Sequence, residues 1–224
     1  MHFLLLIPAL IFSLYAQAKV KSAFSKYSKI NSRKGYTAAD IARRILNNYN
    51  LDNVAIEHVN GSLTDHYDPR TNVVRLSDTV YNSSSIAAIG VAAHECGHAI
   101  QYAESYGPIK LRASIVPITN IGSKAGIYIA LLGAMMTNTV IASIGIALFS
   151  MTAIFQAVTL PVELDASSRA LKILEGDDML DSDEIPQAKA MLSAAAMTYV
   201  AALLSAILQV LRLILIVRGG RRRN

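Results

Sequence analysis

From Ala125 to Leu160 the chain runs 36 residues without a charged side chain, and this restricts its possible folds more than any other feature. As one helix the run would rise about 54 Å, far more than a hydrocarbon core of about 30 Å. Thr137-Asn138-Thr139 near its middle supplies a turn, so the run predicts a two-helix membrane hairpin. Two more apolar blocks accompany it. Phe3 to Ala18 has 16 residues and would rise about 24 Å, marginal for a crossing. Ala190 to Leu211 has 22 uncharged residues and can span with some tilt. Hydrophobic residues make up 53% of the 224, and the mean hydropathy is +0.36. Their concentration in blocks points to an integral membrane protein of one domain.

Ala16-Gln17-Ala18 has the small-x-small form of a signal-peptide cleavage site. Only His2 precedes the apolar block, however, while Lys19, Lys21, Lys26 and Lys29 crowd its far side. Positive flanks stay cytoplasmic, which favours an uncleaved anchor followed by a polar region in the cytoplasm. A hairpin and a last crossing would then place Arg218, Arg221, Arg222 and Arg223 outside, against the same rule, so the number of crossings stays open. The net charge of +5 is explained by basic borders meeting anionic headgroups. No zinc-finger spacing, recognition module or glycine-rich phosphate loop is present, so no nucleic-acid partner is expected.

The polar region, Lys19 to Lys124, must carry the soluble part of any site. Thr37-Ala38-Ala39-Asp40 has the outline of a capping box, and Ile41, Ile45, Leu46 and Tyr49 follow at helical spacing, which predicts a helix of about thirteen residues. Val54 to Val59 and Asn72 to Leu76 read as strands, with Asp68-Pro69-Arg70-Thr71 as the turn before the second. A strand just ahead of a catalytic helix can hold an extended peptide by adding it to the sheet edge. His66 would sit near that edge, as a substrate contact or simply as a surface histidine.

Chemistry concentrates in His94-Glu95-Cys96-Gly97-His98. Ser83, Ser84 and Ser85 offer N-caps, and no proline interrupts Ile86 to Ala103, so the stretch reads as a helix. Histidines four apart share a helix face, where both imidazoles can bind one zinc ion, and the adjacent glutamate can act as a base on a water that the metal activates. Gly97 inside a helix costs about 1 kcal/mol relative to alanine; room for a metal or substrate beside the helix would account for it. Cys96, the single cysteine, excludes an intrachain disulfide. It points about 200° away from His94 and reads as a small buried residue rather than a thiolate ligand. The competing reading of the motif is an amphipathic helix whose histidines are merely polar.

Catalytic zinc usually has three protein ligands, with the fourth position left for water. No histidine follows His98, which removes the metzincin arrangement. The candidates are His58 and His66 upstream, and Glu104, Glu163, Asp165 and the acids between Glu175 and Glu184 downstream. Glu163 and Asp165 stand out because Pro161 to Ala170 reads as a helix opening directly after the apolar run, placing a carboxylate at the membrane edge. Glu163 is preferred, although acids at a helix start can also merely complement the macrodipole. Any such pairing requires an even number of crossings between His94 and Glu163.

Ala92-Ala93-His94-Glu95-Cys96-Gly97-His98-Ala99-Ile100-Gln101, with Leu63-Thr64-Asp65-His66-Tyr67-Asp68-Pro69-Arg70-Thr71 and Leu160-Pro161-Val162-Glu163, resembles the YugP-like family of bacterial membrane zinc metallopeptidases. The similarity covers nearly the whole chain. That family is in turn reminiscent of HtpX and the CAAX prenyl proteases, where a helix after a membrane hairpin carries a Glu ligand followed by Ala-Asp. The resemblance implies that Glu163 is a zinc ligand with His94 and His98. Ser167 stands where those relatives have the later aspartate, and Asp165 is a candidate to replace it.

These readings together predict a mainly α integral membrane protein, with a small α+β zincin-like catalytic body packed on about four hydrophobic helices. The expected segments are an anchor (1–18), a catalytic body (19–124), a transmembrane hairpin (125–160), a helix bearing the third ligand (161–189) and a C-terminal hydrophobic helix with a basic tail (190–224). The expected function is a membrane-embedded zinc endopeptidase acting on protein or peptide substrates in contact with membrane lipids. Zinc would be held by His94, His98 and Glu163, Glu95 would be the base, and His66, Tyr102 or Tyr199 would be the oxyanion donor. A zinc hydrolase of a non-peptide amide and a non-catalytic membrane scaffold are the alternatives.

Overall fold

The computed structural model describes residues 2–221; Arg222 and Arg223 of the basic tail lie outside the described residues. A 3-10 turn (His2–Leu6) leads into α1 (Ile7–Tyr27), followed by α2 (Ala38–Asn48) and three strands, β1 (Ala55–Val59), β2 (His66–Asp68) and β3 (Val73–Ser77). Four helices complete the chain: α3 (Ile86–Ala103), α4 (Gly107–Met135), α5 (Thr139–Gly176) and α6 (Ile185–Arg221). The protein is mainly α with one small sheet, and the stretches Phe3–Tyr27, Gly107–Met135, Thr139–Gly176 and Ile185–Gly219 are long and apolar enough to cross a membrane. Helix α4 and the first part of α5 lie between His94 and Glu163 in the chain, Glu163 itself being a residue of α5.

Two compact units make up the chain. The first comprises Met1–Gln17, Pro108–Pro161 and Met197–Asn224, and its described residues are helical except for the turn at Met136, Thr137 and Asn138. Its hairpin turns where the uncharged run is interrupted: α4 ends at Met135, and the Asn138 Oδ1 accepts the amides of Val140 and Ile141, both at 3.1 Å, to cap α5. A Cβ on Gly126 would lie 2.6 Å from the amide nitrogen of Phe149, and one on Gly145 would collide with the backbone of Ala130. The two helices therefore meet backbone to backbone, the small-residue packing that substitutes for a hydrophobic driving force in lipid. Ser13 and Ser205 hydroxyls, 3.3 Å apart, join α1 to α6.

The second unit comprises Ala18–Gly107 and Val162–Ala196. Its sheet has the order β1-β3-β2, β1 running parallel and β2 antiparallel to β3. Central β3 is almost wholly buried, and its Val74 and Leu76 pack with Ile41, Ile45 and Leu46 of α2 and Ile86, Ile89 and Ile100 of α3 in one core. Thr37 and Asp40 form the capping box in full, side chain to amide at 3.2 Å and back at 3.0 Å. The helix they start has 11 residues and stops before Asn50, whose φ of 57° leaves the helical region. Ser85 is the serine that caps α3, accepting the Ala88 amide at 3.3 Å.

Two readings of the sequence need correction, and one short strand was not read from it. Pro161 does not open a helix but lies inside the 38-residue α5. It removes a single ladder bond, to the Ala157 carbonyl, and an apolar setting without water to compete for the remaining backbone groups keeps the rest of the ladder intact. Helix α4 starts at Gly107, well before the uncharged run, and carries Lys110, Arg112 and Lys124; long cationic side chains can lay their stems along apolar surface and so need not end a helix. His66 to Asp68 pair as a strand with β3, although three residues are too few to show alternation.

Candidate metal centre

Helix α3 is buried on nearly every side, as a helix with an apolar circumference must be, and its motif faces α5. Gly97 makes that approach possible: a Cβ there would sit 2.7 Å from the Ala166 carbonyl oxygen of α5. The glycine therefore serves helix contact, and the closeness it permits is what brings a carboxylate from α5 to the histidines. Gly97→Ala is expected to cost about 1–3 kcal/mol as overpacking. It should also weaken metal retention, because relief requires moving α5 within one turn of Glu163; thermal unfolding and metal content of the purified variant check both.

Glu163 Oε2 lies 3.3 Å from His94 Nε2 and 3.4 Å from His98 Nε2. One ligand atom from each of the three residues falls within 4.8 Å of the others. Two ligands placed tetrahedrally at zinc–nitrogen distances are about 3.3 Å apart, so the spacing fits a zinc ion. The orientation of the rings fits as well. His94 Nδ1 is 3.1 Å from the Ser167 hydroxyl and His98 Nδ1 is 3.0 Å from Gln101 Oε1, which leaves both Nε2 atoms directed at the shared point, the arrangement by which ligating histidines are oriented. Burial pulls the His98 pKa down, but the hydrogen bond to Glu163, the charges of Glu95 and Glu163 and the contact with Gln101 together outweigh it, and the net shift is upward.

The other candidates lie outside this group. His58 pairs with Asp78 at 2.7 Å, and His66 Nδ1 lies 2.9 Å from the Thr64 carbonyl on the exposed strand β2. Glu104 binds Arg169 at 2.5 Å. In the acidic stretch, Asp177 accepts from Asn48, Asp178 pairs with Lys34, Asp181 and Asp183 pair with Arg33, and Glu184 is buried against Ser32 and the Arg33 amide. Asp165, two residues from Glu163, points away from the histidines and accepts from Gln101 Nε2 at 2.8 Å and Arg169 Nε at 2.6 Å. Ser167 itself partners His94. Cys96 is fully buried with its sulfur 3.6 Å from the Ala42 carbonyl, and burial pushes its thiol pKa up; it takes no part in the group.

Glu95 is not among the three converging residues. Its Oε2 accepts the backbone amide of Tyr67, on edge strand β2, at 3.0 Å, which fixes the carboxylate beside the histidines. Of the oxyanion-donor candidates, Tyr102 lies with its ring 5.6 Å from that of Tyr67, His66 is on the same strand, and Tyr199 belongs to the other unit. Gln101 and the Tyr67 amide were not anticipated from sequence. Gln101 could have been found from its position three residues after His98 on a helix; a backbone amide leaves no such trace.

Two histidines of one helix and a carboxylate of a second thus form a group that could hold a metal ion, with the Glu95 carboxylate beside it. A family model described as "putative neutral zinc metallopeptidase" matches residues 2–218, and the chain belongs to that family. It is 47% identical over 220 residues, 98% of each chain, to a Bacillus subtilis (strain 168) protein named "Putative membrane protease YugP". No solved structure matches the chain.

Proposed function

We propose that this protein is a membrane-embedded zinc endopeptidase, with His94, His98 and Glu163 as the zinc ligands and Glu95 as the general base. The convergence of two Nε2 atoms on one carboxylate oxygen, at 3.3 and 3.4 Å, carries the reading, because two histidines and a glutamate from two helices meet at one point. Zinc held there would supply Lewis acidity toward the scissile carbonyl and toward a water molecule. Glu95, held by the Tyr67 amide, takes the proton of the attacking water and passes it to the leaving amine. Strand β2 offers its outer edge to an extended peptide. The lysines after the first apolar block favour the cytoplasmic face of the cell membrane for this unit.

Purified protein is expected to contain one zinc per chain and to cleave an unfolded protein, with both properties lost on chelation. Cleavage of small amides but not of peptides would favour a non-peptide hydrolase, and absence of metal would favour a scaffold. Zinc retention should also fall on acidification. A raised His98 pKa means that a proton is held there to a higher pH than on a free imidazole, and that proton competes with the metal. Affinity is therefore full above this pKa and lost as the pH falls through it, which a zinc titration across pH 5 to 8 would register.

A further inference from the structure

We infer that Gln101 is a positioning residue of the metal centre, holding His98 in the tautomer and orientation that ligation requires, and that Asp165 acts on the centre through it. The inference rests on the proposed zinc site. Gln101 is fully buried, yet each end of its amide is used. Its nitrogen faces two groups that can only accept, the Val162 carbonyl and the Asp165 carboxylate, both at 2.8 Å. This fixes the amide orientation and turns Oε1 to His98 Nδ1, at 3.0 Å. An amide oxygen only accepts, so the proton of the neutral ring sits on Nδ1 and the lone pair on Nε2, the atom 3.4 Å from Glu163.

Asp165 is held in its turn. Arg169 Nε donates to it at 2.6 Å while Arg169 Nη1 binds Glu104 at 2.5 Å, and the guanidinium rests 5.7 Å from the centre of the Tyr106 ring. A chain of polar contacts thus runs from the exposed Glu104 through Arg169, Asp165 and Gln101 to His98, crossing between α3 and α5. Packing alone would be served by methionine or leucine without the desolvation that a buried amide incurs. Both donors and the acceptor of Gln101 are satisfied, the condition under which a buried polar network orients its members.

The test uses the full-length chain, Gln101→Met, Asp165→Asn and the double variant, each titrated with zinc against a chelating competitor. The melting temperature of each metal-free form is measured alongside. Gln101→Met is expected to bind zinc about 10- to 100-fold more weakly and Asp165→Asn about tenfold more weakly. The double variant should be no weaker than Gln101→Met alone, because without the amide Asp165 has no route to His98. Metal-free melting should barely move. Unchanged affinity in Gln101→Met, multiplied effects in the double variant, or an affinity loss matched by loss of metal-free stability would each overturn the inference. If Gln101→Met does not fold, Asp165→Asn decides alone: a tenfold loss with unmoved melting supports it, and no loss overturns it. A wild-type chain that takes up no zinc overturns the metal assignment itself, whereas normal binding with an insensitive Gln101→Met overturns only the role of Gln101.

Discussion

Glu95→Gln retains zinc and loses about 100- to 10,000-fold in cleavage rate, the span that a positioned acid-base group contributes. The expectation follows from the separation of Glu95 from the three converging residues. Its Oε2 accepts from the Tyr67 amide at 3.0 Å, and a glutamine of the same shape can offer its carbonyl oxygen to that amide. The fold and the ligand group therefore survive, and what disappears is the capacity to take a proton from water. His94→Ala and His98→Ala are expected to behave differently and lose metal and activity together. Zinc content and peptide cleavage measured on the same samples separate the cases; full activity in Glu95→Gln would remove that residue from the mechanism.

Glu163→Ala should abolish zinc retention, whereas Asp165→Ala should weaken it by about tenfold. The two acids are neighbours but one on, and positions i and i+2 point about 200° apart around a helix, so they cannot both meet the histidines. Glu163 Oε2 is within 3.4 Å of both His Nε2 atoms, and Asp165 is committed to Gln101 and Arg169. Removing the first deletes one of three donors; removing the second loosens a partner of His98 while every donor remains. Metal analysis of the two purified variants decides between them. Zinc kept without Glu163 but lost without Asp165 would reverse the assignment.

The sequence alone was enough for whatever depends on local period and composition. An uncharged run too long for one crossing implies a hairpin, and Asn138, next to the break, caps the returning helix. The Thr37 box and the run from Ile86 to Ala103 were legible because capping and helical spacing act within a few residues. The pairing of His94 with His98 follows from the turn of one helix. Proline was misleading at position 161, where the rule that it interrupts a helix describes water-exposed backbone better than a long apolar segment.

Only the tertiary structure decided which of several acids reaches the histidines, because that depends on how closely α3 and α5 approach. The approach depends on a glycine whose missing Cβ leaves room for the Ala166 carbonyl. It likewise assigned Ser167 to His94 and Asp165 to Gln101, and it brought the Tyr67 amide to Glu95. These contacts join residues 28 to 73 positions apart, and a one-dimensional pattern holds no information on the distance between two such segments. Local chemistry set what each helix could offer; the packing of one helix against another chose which side chains meet.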